Sequence, residues 1–132
     1  MDSVKKRIKQ HEGLRYTPYL DTENVWTVGY GRNLNVPFTD EEVDLMFDTD
    51  FERAWLGAAT FPQYSALNAV RRSVVIEMVF QIGRSGVSRF RRFWAAVGAS
   101  EWQLAHDEML DSKWAAQTPE RAKELAELFL KG

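Results

Sequence analysis

Residues 11–31 read H-E-G-L-R-Y-T-P-Y-L-D-T-E-N-V-W-T-V-G-Y-G. Upstream of this stretch, Val4, Ile8 and His11/Glu12 recur at helical spacing, with Asp2 or Ser3 available as N-cap, so a helix is predicted over 3–12. Gly13 is a natural terminator for it. Glu12 then sits in the last turn, where the negative end of the helix dipole disfavours an ionised carboxylate. A carboxyl that keeps its proton is what a general acid needs. Pro18 restricts Arg15–Leu20 to an edge or irregular strand. Val25-Trp26-Thr27-Val28 is rich in β-formers. Asp21-Thr22-Glu23-Asn24 between them has turn chemistry, because Asp and Asn bond their own backbone and tolerate left-handed conformations.

The stretch therefore reads as helix end, hairpin and glycine-rich return. Two carboxylates, Glu12 and Asp21, and the Thr27 hydroxyl can converge there, as a glycoside-cleaving site requires. Gly29 and Gly31 permit close backbone approach, useful where a bulky polymer lies against a strand. Each residue also has a plainer reading. Glu12 can be a solvated helix-end acid, Asp21 a turn-former and Thr27 a β-branched strand residue. Spacing alone says only that a glycosidase is possible.

The pattern resembles the phage-type lysozymes, glycoside hydrolase family 24, and the T-even phage type in particular. Its catalytic pattern of Glu, eight residues, Asp, five residues, Thr falls on Glu12, Asp21 and Thr27. Ala69-Val70-Arg71-Arg72 with Met78-Val79-Phe80-Gln81-Ile82-Gly83 is similar to the family's central helix. Trp114, Gln117-Thr118-Pro119 and Arg121-Ala122-Lys123 are similar to the entry of its C-terminal helix. The family often has His after Gly-x-Gly, where this chain has Arg32. The T-even type continues with a long segment that includes a third strand. Here only Val36-Pro37-Phe38 separates Asn35 from the next helix cap, so a trimmed small lobe is expected.

The resemblance implies further roles. Gly31, Asn33, Phe80, Gln81, Phe93 and Glu108 fall at substrate-binding positions. Arg121 falls where an arginine pairs with the catalytic acid, here Glu12, and such pairing would oppose protonation. Glu23 and Lys113 match a charge pair across the mouth of the cleft, and an exposed pair of that kind contributes about 0–1 kcal/mol.

Beyond the hairpin, Thr39-Asp40-Glu41-Glu42 is a capping box. The helix it opens, about 40–60, carries Val43, Phe47, Phe51, Ala54 and Ala58 as a core stripe at period 3.6. Its acidic start is a solvated face favoured by the dipole, without the spacing of a calcium loop. Asn68 caps a helix over 69–82, apolar nearly all round and suited to the middle of a helical lobe. Further helices are predicted from about Ser88 to Val97, from Glu101, capped by Ser100, to about Asp111, and from Thr118-Pro119 onward. Trp114 is expected in the core and His106 at the surface. Arg71, Arg72, Arg84, Arg89, Arg91 and Arg92 form the one basic cluster, a local footing for an anionic wall polymer or plain surface charge.

The 132 residues suggest a single domain able to bury roughly two-thirds of its unfolded surface. A net charge of −2 argues against a dedicated nucleic-acid binder. Cysteine is absent, so disulfide and thiol chemistry are excluded. No apolar run approaches the roughly 18 residues of a membrane span, and residues 1–7 carry no signal-peptide pattern. The expectation is an α+β, mostly helical, lysozyme-like domain over 1–132. A small lobe occupies about 13–38, a connecting helix about 40–60, and a helical lobe about 61–132 joined by the N-terminal helix 3–12, with a cleft between lobes. Following the resemblance, the enzyme cleaves the β-1,4 bond after N-acetylmuramic acid in peptidoglycan, with inversion and with no metal or cofactor. A monomer is expected, made in a host cytoplasm and reaching the periplasmic wall through a separate holin-like membrane lesion, or carried on a virion. The alternatives are a lytic transglycosylase and a catalytically degenerate, wall-binding phage structural protein.

Overall fold

The computed structural model describes residues 1–132, which form two compact units, Met1–Val43 and Asp44–Gly132. In the first, α1 (Asp2–Glu12) ends where Gly13 turns to φ 74°, its N–H donating to the Lys9 carbonyl. The N-cap is Met1, without a side-chain bond, rather than Asp2 or Ser3. α1 buries none of its residues and falls in the first unit, whereas the sequence reading groups it with the helical lobe.

Strands β1 (Arg15–Leu20), β2 (Trp26–Gly29) and β3 (Arg32–Asn33) make an antiparallel sheet in that order. β1 is an edge strand whose register shifts between Arg15 and Tyr19, around Pro18, which has no N–H for the ladder. β3 adds a short third strand to the predicted hairpin. Two residues suffice for it, because Arg32 and Asn33 pair with Val28 and Thr27.

Helix α2 (Asp40–Ala59) starts at the predicted capping box: Thr39 N–H donates to Glu42 Oε1 at 2.9 Å, and Glu42 N–H to Thr39 Oγ1 at 3.2 Å. Of its expected core stripe only Ala54 and Ala58 are buried; Val43, Phe47 and Phe51 are 48%, 52% and 45% exposed. Periodicity marks a face that can be buried, and burial also needs an element lying on it. The last turns of α2 are enclosed on that face, whereas Phe47 and Phe51 border an open groove beside Phe80.

Every buried apolar side chain lies between Ala54 and Phe129. After a 3₁₀ turn at Tyr64–Ala66 comes α3 (Ala69–Ser88), capped by Asn68 Oδ1, which accepts from Arg71 N–H at 2.9 Å. α3 buries Val74, Val75, Met78 and Val79. Gly83, at φ 80° and ψ 160°, breaks it where an end was predicted, but helix resumes to Ser88, so α4 (Arg91–Gly98) starts later than expected. α5 (Trp102–Leu110) follows Glu101 as N-cap, because Ser100 is left-handed at φ 55° and does not cap it. α6 (Lys113–Gln117), capped by Ser112, was not predicted. α7 (Pro119–Lys131) begins with proline at its first position.

α5 packs on α4 and α7, and α7 on α3 and α6. Phe93 joins them, its ring 5.1 Å from that of Phe129 and 5.0 Å from that of Trp94. The buried Trp94 indole N–H is satisfied by the Val87 carbonyl at 3.0 Å. Arg71 closes the end of α7, donating to the Phe129 and Leu130 carbonyls at 2.8 and 3.1 Å, where a cation complements the helix dipole. No helix is long and apolar enough to cross a membrane.

Candidate active site

Within the first unit, one peptide group gathers two of the three candidate catalytic residues. Asp21 Oδ1 accepts the N–H of Glu23 at 2.8 Å and of Val25 at 2.9 Å, building the turn. The Val25 carbonyl accepts in return from Asp21 N–H at 3.0 Å and from the Thr27 hydroxyl at 2.8 Å. Asn24, at φ 62°, supplies the left-handed residue that closes the turn. Asp21 and Thr27 are therefore tied to a common oxygen. Both bonds to the Asp21 carboxylate fall on Oδ1. Thr27 has committed its proton to Val25 and offers only lone pairs. It is 4% exposed, the one buried polar residue, at the centre of the sheet. Tyr19 and Asn33 lie directly across from it, so the three side chains share one face.

Glu12 closes α1 and is exposed. Its carboxylate lies against Gly31: a Cβ at that glycine would stand 2.8 Å from Glu12 Oε2 and 3.3 Å from Cδ. Gly31 is at φ 80°, open to glycine at no steric cost. The residue expected to admit substrate makes room for the candidate acid. Asn33 is exposed, with Oδ1 accepting from Asn35 N–H at 2.8 Å. Glu23 is exposed at the turn.

In the second unit, Arg121 forms an ion pair with Glu77, Nε to Oε2 at 2.8 Å. The two stand 44 residues apart, on α7 and α3, a pairing no local pattern announces. Phe80 is 40% exposed and shares an apolar groove with Phe47, Phe51 and Ile76, flanked by the Glu77–Arg121 pair. Gln81 uses its amide internally, accepting from the Trp114 indole at 2.8 Å and donating to Thr118 Oγ1 at 3.4 Å. Trp114 is buried as expected. Phe93 is 1% exposed, which corrects its assignment to substrate binding: a ring enclosed by Trp94 and Phe129 has no face to offer a sugar. His106, expected at the surface, is largely covered, with Nδ1 2.8 Å from Asp107 Oδ1.

Glu108 and Lys113 line a recess of about 700 Å³ with Arg89, Arg91, Arg92 and Gln117. The other three arginines of the basic cluster have structural partners. Arg71 holds α7, Arg72 donates to the Tyr64 and Ser65 carbonyls, and Arg84 donates to Thr60 Oγ1.

One pair escaped the sequence reading. Arg32 makes a two-pronged bond to Glu42, with Nη1 to Oε2 and Nη2 to Oε1, the latter at 3.1 Å. The capping box pointed to Glu42 but not to its partner on β3. The Arg32 guanidinium, aided by Thr39, holds the Glu42 carboxyl down at about 2.

The phage lysozyme family model matches residues 9–128. Probable T4-type lysozyme 1 of Dictyostelium discoideum is 27% identical over 163 aligned positions, covering all of this chain and 96% of that protein. Probable T4-type lysozyme 2 of the same organism is 25% identical, with the same coverage. The pre-baseplate central spike protein Gp5 of Enterobacteria phage T4 is 26% identical over 98% of this chain, which spans 28% of the spike protein's length. With a family match from the last turns of α1 nearly to the end of α7, the chain belongs to the phage lysozyme family of glycoside hydrolases.

Proposed function

We propose that the protein is a muramidase. It hydrolyses the β-1,4 bond between N-acetylmuramic acid and N-acetylglucosamine in peptidoglycan, in phage-driven lysis of a bacterial host. The observation that carries this reading is the common tether of Asp21 and Thr27 to Val25, in the same unit as Glu12. Glu12 protonates the glycosidic oxygen as the C1–O bond breaks. A water held by Asp21 and Thr27 attacks C1 and gives its proton to Asp21. Both holders are acceptors: Asp21 as a carboxylate, Thr27 because its proton is committed. Such a water has both hydrogens engaged and a lone pair free to attack. Direct attack of this kind inverts the anomeric centre. On this reading Asn33, directly across the sheet from Thr27, touches the polymer.

Proton NMR of the fresh product, with Glu12→Gln as the control, tests the reading. Wild type should release the α-anomer, and Glu12→Gln should fold yet lose at least about a hundredfold in rate. A β-anomer would indicate a covalent intermediate, and a 1,6-anhydro product a lytic transglycosylase. Binding to wall without any turnover would indicate the degenerate structural protein.

A further inference from the structure

The surroundings of Glu12 extend one residue past Gly31. Because a Cβ at Gly31 would collide with Glu12 Oε2, the backbone there sets where the carboxylate can rest. Gly31 closes the short turn between β2 and β3, and β3 has only two residues, too few to hold a turn firmly by ladder bonds alone. Arg32 supplies the missing constraint. Its guanidinium grips Glu42 through both oxygens and lies 4.9 Å from the centre of the Phe38 ring. Glu42 is itself held, accepting from Thr39 N–H while its own N–H donates to Thr39 Oγ1. The other charged groups placed around this turn are Lys9, whose Nζ lies 5.1 Å from the Tyr30 ring centre, Glu12 from α1, and Asp40 and Glu41 in the first turn of α2.

We infer that Arg32 is a positioning residue for the catalytic acid: its two-pronged bond to Glu42 ties β3 to the start of α2 and fixes Gly31 beneath the Glu12 carboxylate. The inference rests on the reading of Glu12 as the acid. A planar, permanently charged fork suits the task, because it meets both carboxylate oxygens and keeps its charge across the pH range of the enzyme.

A titratable replacement exposes the role. In Arg32→His the tie to Glu42 exists only while the imidazole is charged. Glu42 raises the folded imidazole above its ordinary value of about 6.5, so the tie is complete at about pH 5 and lost as pH rises through that raised value. The quantity to measure is kcat of the variant divided by kcat of wild type, on a soluble peptidoglycan fragment, well below both melting midpoints. Dividing by wild type cancels the pH effects common to both proteins. The ratio should fall about tenfold between about pH 5 and pH 8, with KM little changed, since displacing a catalytic group by about 1 Å costs up to about a hundredfold. Adding Glu42→Gln should abolish the slope. A ratio independent of pH, with only the melting midpoint lowered, overturns the inference. Should Arg32→His fail to fold, Arg32→Lys decides the matter: a several-fold fall in kcat at constant KM supports it, and unchanged kcat overturns it. Glu12→Gln run in parallel separates the two levels, because full activity there removes the acid assignment whatever Arg32 does.

Discussion

Gly31 shows how one missing side chain serves two ends. Its φ of 80° is strained for any residue with a Cβ, by about 1–2 kcal/mol, and the space a methyl would take is occupied by Glu12 Oε2. The carboxylate is the far end of a flexible side chain, so it yields instead of the backbone. Gly31→Ala should therefore lower stability by about 1–2 kcal/mol, a few degrees of melting temperature, yet reduce turnover about tenfold or more by displacing the acid. Thermal melts and kinetics on the same preparation check this, and wild-type turnover would refute it. Asp21 and Thr27 were legible at this scale, because turn chemistry and strand propensity act over a few residues. The Val25 carbonyl that joins them was not legible, since a backbone group carries no sequence signature.

Among the elements, the link between β3 and α2 sets a pH dependence. The Glu42 carboxyl is held at about 2, below its ordinary 4.5, by Arg32 first and Thr39 next. A carboxyl depressed on folding contributes stability above its unfolded value and loses it as pH falls towards the folded value. The melting temperature of wild type should thus fall between about pH 4.5 and pH 2 more steeply than that of Glu42→Gln. Parallel curves would show that the pair contributes nothing. The helices were readable where caps are local, as at Thr39 and Asn68. They were misread where register depends on a neighbour: Ser100 turns left-handed instead of capping α5, and α4 begins late because α3 resumes beyond Gly83.

At the scale of the molecule, apolar burial is uneven. The core runs from Ala54 to Phe129, while the residues before Val43 bury only Thr27. Local stability follows buried contacts, so the hairpin should open more readily than the helical core. Amide exchange should be faster over residues 15–36 than over Ala69–Ile82, apart from the first turn of α3. Equal protection in both would contradict this distribution. The Dictyostelium relative aligns over 163 positions against 132 residues here, so it carries segments with no counterpart in this chain.

The amino-acid sequence by itself determined whatever depends on near neighbours. Gly13 ends α1, Asp21 builds the turn, Pro18 confines β1 to an edge, Thr39 and Glu42 cap α2, and Pro119 opens α7. In each case the partner lies within about four residues, so composition and spacing suffice. Tertiary structure alone decided the pairings across long loops. It gave Arg121 to Glu77 and Arg32 to Glu42, enclosed Phe93 among Trp94 and Phe129, and left Phe47 and Phe51 half exposed. An arginine carries the same charge whichever carboxylate it meets, and an aromatic ring the same apolarity whether covered or bare. Which of these comes about depends on what the chain brings within reach, and that depends on how the helices pack.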